Sequence, residues 1–402
     1  MIAGADERLA ATLGREALER LHASTAAIVG VGLLGGRISQ DLALLGVGQI
    51  LVDPGRVEPA NLGNQALPAA ALGEPKVAAR ARQIELLAPD CRVEAIAARV
   101  EALGLARLAG VDLLVAGLDS RASRVRVNDI SLRLAIPWVD CAVDGSGREL
   151  LGSVALYDPR VPDSPCYLCR LDGAALAALA REGRGSGCPS WRDPAAPLTV
   201  PTLASPAFGG AVAGFAALWC LDVLLGRAGA VAGRELLVGV RPPRLASVAL
   251  ARSPRCCHDH GRLDPLRPSL EPTLPALYER ATADLGRPPD ALALHHHALV
   301  RGLRCPACGA TRALARLSHA YSDADVRCGC GSEMAPASMA DRMGPDELAE
   351  LADLSFADLG FPESDVVSAV SGDGVAHYAV NLARRGAERC SEERAAAREA
   401  AA

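Results

Sequence analysis

The stretch "AAIVGVGLLGGRISQDLALLGVGQILVD", residues 26–53, restricts the fold more than any other part of the chain. An apolar run feeds Gly30-x-Gly32-x-x-Gly35, an apolar-periodic segment follows, and a second apolar run ends at Asp53. This reads as strand, tight turn, helix, strand. Two parallel strands joined by a helix demand a right-handed crossover and a sheet with helices on both faces. The glycines allow backbone amides at a helix start to approach phosphates. Alone they would equally fit a turn with no ligand. Asp53, an acidic residue ending the second strand at the distance where a ribose is held, tips the reading to a nucleotide.

The rest of the first ~160 residues keeps alternating strand and helix, so the fold class is α/β, a Rossmann-like, doubly wound, mainly parallel sheet. Residues 6–22 read as helix broken near Gly14. A Pro/Gly-rich stretch at 173–206 reads as a long loop, and "PAFGGAVAGFAALWCL" as a buried core helix too short for a bilayer. The expected organisation is a large α/β unit over 1–262, a linker and helix over 263–302, a cysteine-paired module over 303–340, a small α+β appendage over 341–388 and a disordered tail over 389–402. "HHH" at 295–297 falls on the helix expected there. Consecutive helical residues point in different directions, so it reads as a surface run.

Composition narrows the function classes. A net charge of −5 offers no electrostatic case for nucleic acid or an anionic membrane. The chain opens without a basic segment and apolar run, so no export signal is expected and the cytoplasm is the expected compartment. Thirteen cysteines, several in close pairs, then point to metal and not to disulfides. Cys166 and Cys169 in "PCYLCR", with Cys257 and His260 in "RCCHDHG", are expected to close one tetrahedral zinc site; Cys256 and His258 are the substitutes. Cys305 and Cys308 in "RCPACG", with Cys328 and Cys330 in "RCGCG", form a zinc-ribbon pattern. Four thiolates leave no open position, so that second zinc is expected to be structural.

Polar residues after the second strand decide the nucleotide chemistry. Asn61 and Gln65 flank one loop, Lys76 begins the next helix, Asp119 ends a strand, and Arg124 and Asn128 follow at near one-turn spacing. Strand ends of an open α/β sheet face one crevice, so Asp53, Lys76 and Asp119 are expected to converge. Adenylation of a carboxylate uses such a set: a lysine against the triphosphate and a carboxylate on magnesium.

The segments "GVGLLGG", "LLGVGQILVDPGRVEPANLGNQ", "GEPKVAARA", "AGLDSRASRVRVND" and "SPCYLC" together resemble the ThiF/MoeB/HesA family, bacterial relatives of ubiquitin-activating enzymes, over roughly residues 8–260. The resemblance implies ATP-dependent adenylation of the C-terminal glycine of a small ubiquitin-like, β-grasp protein by a homodimer. It assigns ribose to Asp53, phosphates to Lys76, magnesium to Asp119 and the ATP pocket to Gln65 and Arg124, with Arg8 as a loose match to the family's N-terminal phosphate arginine. The sequence departs from the family's Asn-Leu-x-Arg-Gln pattern, because Asn64 stands where the arginine would be. The family's crossover loop carries its thioester cysteine where this chain has Cys188, flanked by Arg181, Arg184 and Arg192, which favour a thiolate. The C-terminal appendage tilts the reading toward a conjugating-enzyme-like partner. A sulfur-carrier activator stopping at the adenylate, a nicotinamide dehydrogenase and an ATP-binding scaffold are the alternatives left open.

Overall fold

In the computed structural model the described residues are 6–144, 150–176, 205–240, 242–372 and 374–380. They cluster into two units. The described parts of the first are 6–100, 110–144, 150–176, 205–240 and 242–262; those of the second are 101–109, 263–372 and 374–380.

The first unit is built on an eight-stranded sheet. Its strands in chain order are β1 (Thr25–Val29), β2 (Gly48–Val52), β3 (Val93–Ile96), β4 (Leu113–Ala116), β5 (Trp138–Asp144), β6 (Leu151–Tyr157), β7 (Arg234–Val240) and β8 (Pro243–Ala249). Their spatial order is β3-β2-β1-β4-β5-β6-β7-β8. The first five run parallel. The last three are added antiparallel, as consecutive strands joined by short or returning connections can be. β1, β2 and β4 are buried at every position, which explains why they read as continuous apolar runs and not as alternating ones.

Helices α1 (Glu7–Leu13) and α2 (Arg15–Ala23) meet at Gly14, whose φ of 90° breaks the helix there. On one face of the sheet lie α3 (Leu33–Leu44), α5 (Lys76–Leu87) and α7 (Pro206–Leu224), sharing a core of Ile28, Ile38, Leu51, Val77, Ile84, Val115, Val154 and Val212. A short turn, α4 (Pro59–Leu62), lies between β2 and α5. α6 (Arg121–Leu134) packs on β4 and β5 and contributes nothing to that core, so it covers the opposite face. Local chemistry sets the helix ends: Ser120 Oγ accepts from the Ser123 amide, Ser205 Oγ accepts from the Phe208 amide, and Pro206 follows at the first helical position. By length and composition α7 would suffice to cross a membrane, yet half of it is buried, packed on α3 and the strands.

The second unit has two sheets. A five-stranded one, β14-β10-β15-β16-β9, is formed by β9 (Leu266–Pro268), β10 (Ala291–Leu294), β14 (Arg342–Met343), β15 (Asp365–Ser371) and β16 (Gly374–Val380). Helix α8 (Leu274–Leu285) packs on it through Leu274, Leu277 and Ala281. The three-stranded sheet, β12-β11-β13, uses β11 (Leu299–Arg304), β12 (Thr311–Leu317) and β13 (Ala335–Ala340). Residues 295–297 are the connection between β10 and β11, not helix. His297 is buried against Asp365 at 3.5 Å, and Ser368 Oγ bonds His295 and His377 at 2.6 Å each. The run is therefore partly a core feature. The turn between the two strands, where His296 has φ 64°, decides which of three identical residues turns inward.

Candidate nucleotide and metal sites

The glycine turn depends on close backbone approach. Gly30 has φ +82°, and a Cβ there would lie 2.6 Å from Gly117 O; on Gly35 it would lie 1.9 Å from Gly30 O. β1 and β4 are sheet neighbours whose following helices cover opposite faces, so the turn sits at the switch point of the sheet, where such folds bind ligands. Asp53 closes the turn from β2: Oδ2 accepts from the Val31 amide at 3.0 Å and Oδ1 from the Gly55 amide at 2.7 Å. A carboxylate has about four lone-pair sites, so both oxygens retain acceptor capacity for ribose hydroxyls. A Cβ on Gly55 would stand 2.9 Å from Asp53 Oδ1 and 3.3 Å from Lys76 Cε. Gly55 therefore brings Asp53 and the Lys76 side chain together.

Gln65 arrives over the turn. A Cβ on Gly32 would lie 3.8 Å from Gln65 Nε2. Gln65 Oε1 and Asn64 Oδ1 are buried without a hydrogen-bond partner, as expected of polar atoms whose partner is a ligand. Asn61 is used locally, its Oδ1 accepting from the Glu58 amide at 2.9 Å. Asp119 is exposed, two residues beyond the Gly117 that abuts the turn, and directly before Ser120, the cap of α6. These residues fit a nucleotide with its metal: a glycine cradle, orphaned polar atoms, a cation and an accessible carboxylate at one strand edge.

Two further residues expected at the site, Arg124 and Arg8, differ in setting. Arg124 is buried: Nε donates to Asp140 Oδ1 at 2.8 Å, and Nη2 to Leu118 O at 2.6 Å and Cys141 O at 3.4 Å. Burial would lower its pKa, but Asp140 more than offsets this and the pKa is raised. Arg124 thus fixes the strand end that carries Asp119. Arg8 is exposed on α1, and none of the hydrogen bonds or ion pairs among the described residues ties it to the turn.

Two groups of side chains suit a tetrahedral metal. Zinc–thiolate bonds of about 2.3 Å place sulfurs about 3.8 Å apart, whereas a disulfide needs about 2.05 Å. Cys305 and Cys330 lie 3.5 Å apart, and Cys308 and Cys328 3.6 Å. Gly309 (φ +76°) and Gly331 (φ +91°) close the two turns that present these thiols. The other group is Cys166, Cys169, Cys256 and His260. Cys166 is 3.6 Å from Cys256 and 3.7 Å from Cys169, whose sulfur is 3.6 Å from His260 Nε2. Here Cys256 replaces the expected Cys257. The Cys256 amide bonds Ser253 O at 3.1 Å, a turn that aims Cys256 inward and leaves its neighbour Cys257 exposed. His258 is taken by Asp129 at 2.8 Å, and the left-handed His260 (φ 57°) swings its ring to Cys169.

α6 holds this knot. Asn128 Oδ1 accepts from the Tyr167 amide at 2.7 Å, Asp129 pairs with His258, and Arg133 pairs with Asp259 at 2.8 Å. None of these anchors was expected. The one-turn spacing of Asn128 after Arg124 does not disclose its bond to Tyr167. Of the four other described cysteines, Cys257 is exposed beside the knot, while Cys91, Cys141 and Cys220 are not poised as nucleophiles: burial pushes Cys91 up to about 11 and raises Cys141 and Cys220. Cys188 and its arginines lie outside the described residues.

Among known proteins, the chain is 30% identical over 254 residues to the sulfur carrier protein adenylyltransferase of Thermus thermophilus, covering 61% of this chain and 85% of that one. It is 34% identical over 163 residues to the SAMP-activating enzyme E1 of Haloferax volcanii, covering 39% of this chain and 57% of the relative. It is 28% identical over 165 residues to ubiquitin-like modifier-activating enzyme 5 of Drosophila persimilis, covering 38% and 42%. The alignments with the last two span less than two thirds of those proteins. The fold is that of E. coli MccB solved with MccA-N7isoASN, with TM-score 0.50, 17% identity, and coverage of 63% of this chain and 74% of that one. The ThiF family profile matches residues 6–256, the segment that carries the glycine turn, Asp53, Lys76, Asp119 and the three cysteines of the first metal knot, and the chain belongs to the ThiF family.

Proposed function

We propose that this protein uses ATP and magnesium to adenylate the C-terminal glycine of a small ubiquitin-like protein and then carries the acyl group on Cys188. In the first step a carboxylate oxygen bonds the α-phosphorus and pyrophosphate leaves. In the second the Cys188 thiolate bonds the acyl carbon and AMP leaves. Magnesium would supply charge stabilisation for the leaving pyrophosphate, with Asp119 as its protein ligand. The observation that carries the reading is the junction of the glycine turn, Asp53, Lys76, Gln65 and Asp119 at one switch point. Both zinc ions are structural, since each ligand set is complete at four. The working unit is a cytoplasmic homodimer, and a conjugating-enzyme-like protein receives the thioester. A second reading, activation of a sulfur carrier with no thioester step, is favoured by the 254-residue alignment with the Thermus thermophilus adenylyltransferase.

One experiment tests the scheme and separates the readings. The protein is mixed with ATP, magnesium and a β-grasp protein of the same genome that ends in glycine. ATP–pyrophosphate exchange should depend on that protein and vanish in Asp119→Ala, whose exposed side chain the fold does not need. A thiol-sensitive adduct should form and disappear in Cys188→Ala while exchange persists. Exchange without an adduct selects the sulfur-carrier reading. Unchanged exchange in Asp119→Ala removes the site assignment.

A further inference from the structure

A guanidinium lies buried behind the glycine turn, and no carboxylate among the described residues pairs with it. Arg80, one helical turn after Lys76 on α5, is 1% exposed. Its Nη2 donates to Gln65 O at 2.8 Å, its Nη1 donates to Gln83 Oε1, and its buried Nε finds no acceptor. Among the described residues no ion pair involves Arg80. The charge it feels is Arg37, a second cation, and burial followed by Arg37 lowers its pKa to about 10. It is still charged at neutral pH.

The chain makes room for this group. A Cβ on Gly36 would stand 2.4 Å from Arg80 Nη2 and 2.8 Å from Cζ. The guanidinium therefore fills the space against the first turn of α3, whose amides face the nucleotide position, while holding the loop that presents Asn64 and Gln65. Burying an unpaired charge is costly and persists where something supplies its counter-ion. A polyphosphate at a helix start is such a counter-ion.

Resting on the nucleotide reading above, we propose that Arg80 is a positioning residue for the nucleotide's phosphates: it fixes Gln65 and lends the loop the positive charge that Asn64 lacks. The ligand class is a nucleoside triphosphate, not a nucleoside.

Binding, not turnover, tests this. Calorimetry would compare ATP with magnesium, and adenosine, on wild type, Arg80→Met and Arg80→Lys. Arg80→Met should weaken ATP about ten- to hundredfold, the range of a lost charged hydrogen bond, and leave adenosine within about twofold. Arg80→Lys should recover part of the loss, and adding Asn64→Arg to Arg80→Met should recover about tenfold. The unliganded melting temperature of Arg80→Met should not fall, because the variant removes an uncompensated charge at similar volume. If Arg80→Met does not fold, Arg80→Gln, polar and uncharged, should show the same ATP-selective loss. Equal losses for ATP and adenosine, or no loss for ATP, overturn the proposal while leaving the nucleotide site standing. A wild-type protein that binds neither overturns both.

Discussion

Removing the Asp140 carboxylate would strand the Arg124 guanidinium. The two side chains are 8% and 10% exposed and meet at 2.8 Å, and Arg124 otherwise reaches the Leu118 and Cys141 carbonyls. Breaking a buried pair from one side costs about 3–5 kcal/mol, because the remaining charge is neither solvated nor neutralised. The two carbonyls soften this, so Asp140→Ala should lose about 3 kcal/mol. Replacing both residues with apolar ones of similar volume should restore most of it, giving a coupling of about 2 kcal/mol in a double-mutant cycle. Urea unfolding followed by tryptophan fluorescence reads the right unit, since Trp138 and Trp219 lie in its core. The raised Arg124 pKa means its contribution is complete below the ordinary arginine range and is lost only above it, so the cycle should be flat from about pH 6 to 9. A cost for Asp140→Ala below about 1 kcal/mol, or a coupling near zero, would refute the reasoning.

The metal knot gives a contrast between neighbours: Cys256→Ser should lose about one of two zinc ions per chain by elemental analysis and Cys257→Ser none. If Cys257→Ser loses the metal instead, the turn at 253–256 is wrongly described. Cys91 should titrate late, with its thiol pushed up to about 11 by burial. Stability held at neutral pH is then lost as pH rises from the ordinary thiol range through about 11, and Cys91→Ala should flatten that limb of the unfolding curve. An identical alkaline limb in both proteins would exclude this thiol as its source.

What the sequence disclosed was what depends on near neighbours. The glycine turn, the parallel order it implies and the zinc-ribbon pairs all follow from spacing, because a strand, a turn and a knuckle are each built from adjacent residues. Choices made across the chain were hidden. Cys256 and Cys257 are interchangeable by spacing; a turn anchored at Ser253 and a histidine claimed by Asp129 separate them. The spacing of Arg124 after Asp119 was legible, but its partner Asp140 on the next strand was not. Arg80 gave no signal at all, since an arginine on an amphipathic helix is ordinarily solvated, and only Gly36, forty-four positions earlier, makes its burial sterically affordable.

α6 begins beside Asp119 and ends on the metal knot. Its fourteen residues span about 21 Å of hydrogen-bonded backbone, with Arg124 clamped near one end and Asn128, Asp129 and Arg133 clamped to the knot. Such a beam would make metal and nucleotide parties to one equilibrium wherever each ligand favours the same placement of the helix. If an ion stiffens the far end and so favours the placement of Asp119, then by reciprocity the nucleotide must tighten the grip on the ion by the same factor. The knot, remote from any reacting atom, would then set how readily the crevice takes its ligand, and a cell short of zinc would present to that crevice a lower effective affinity at unchanged protein abundance.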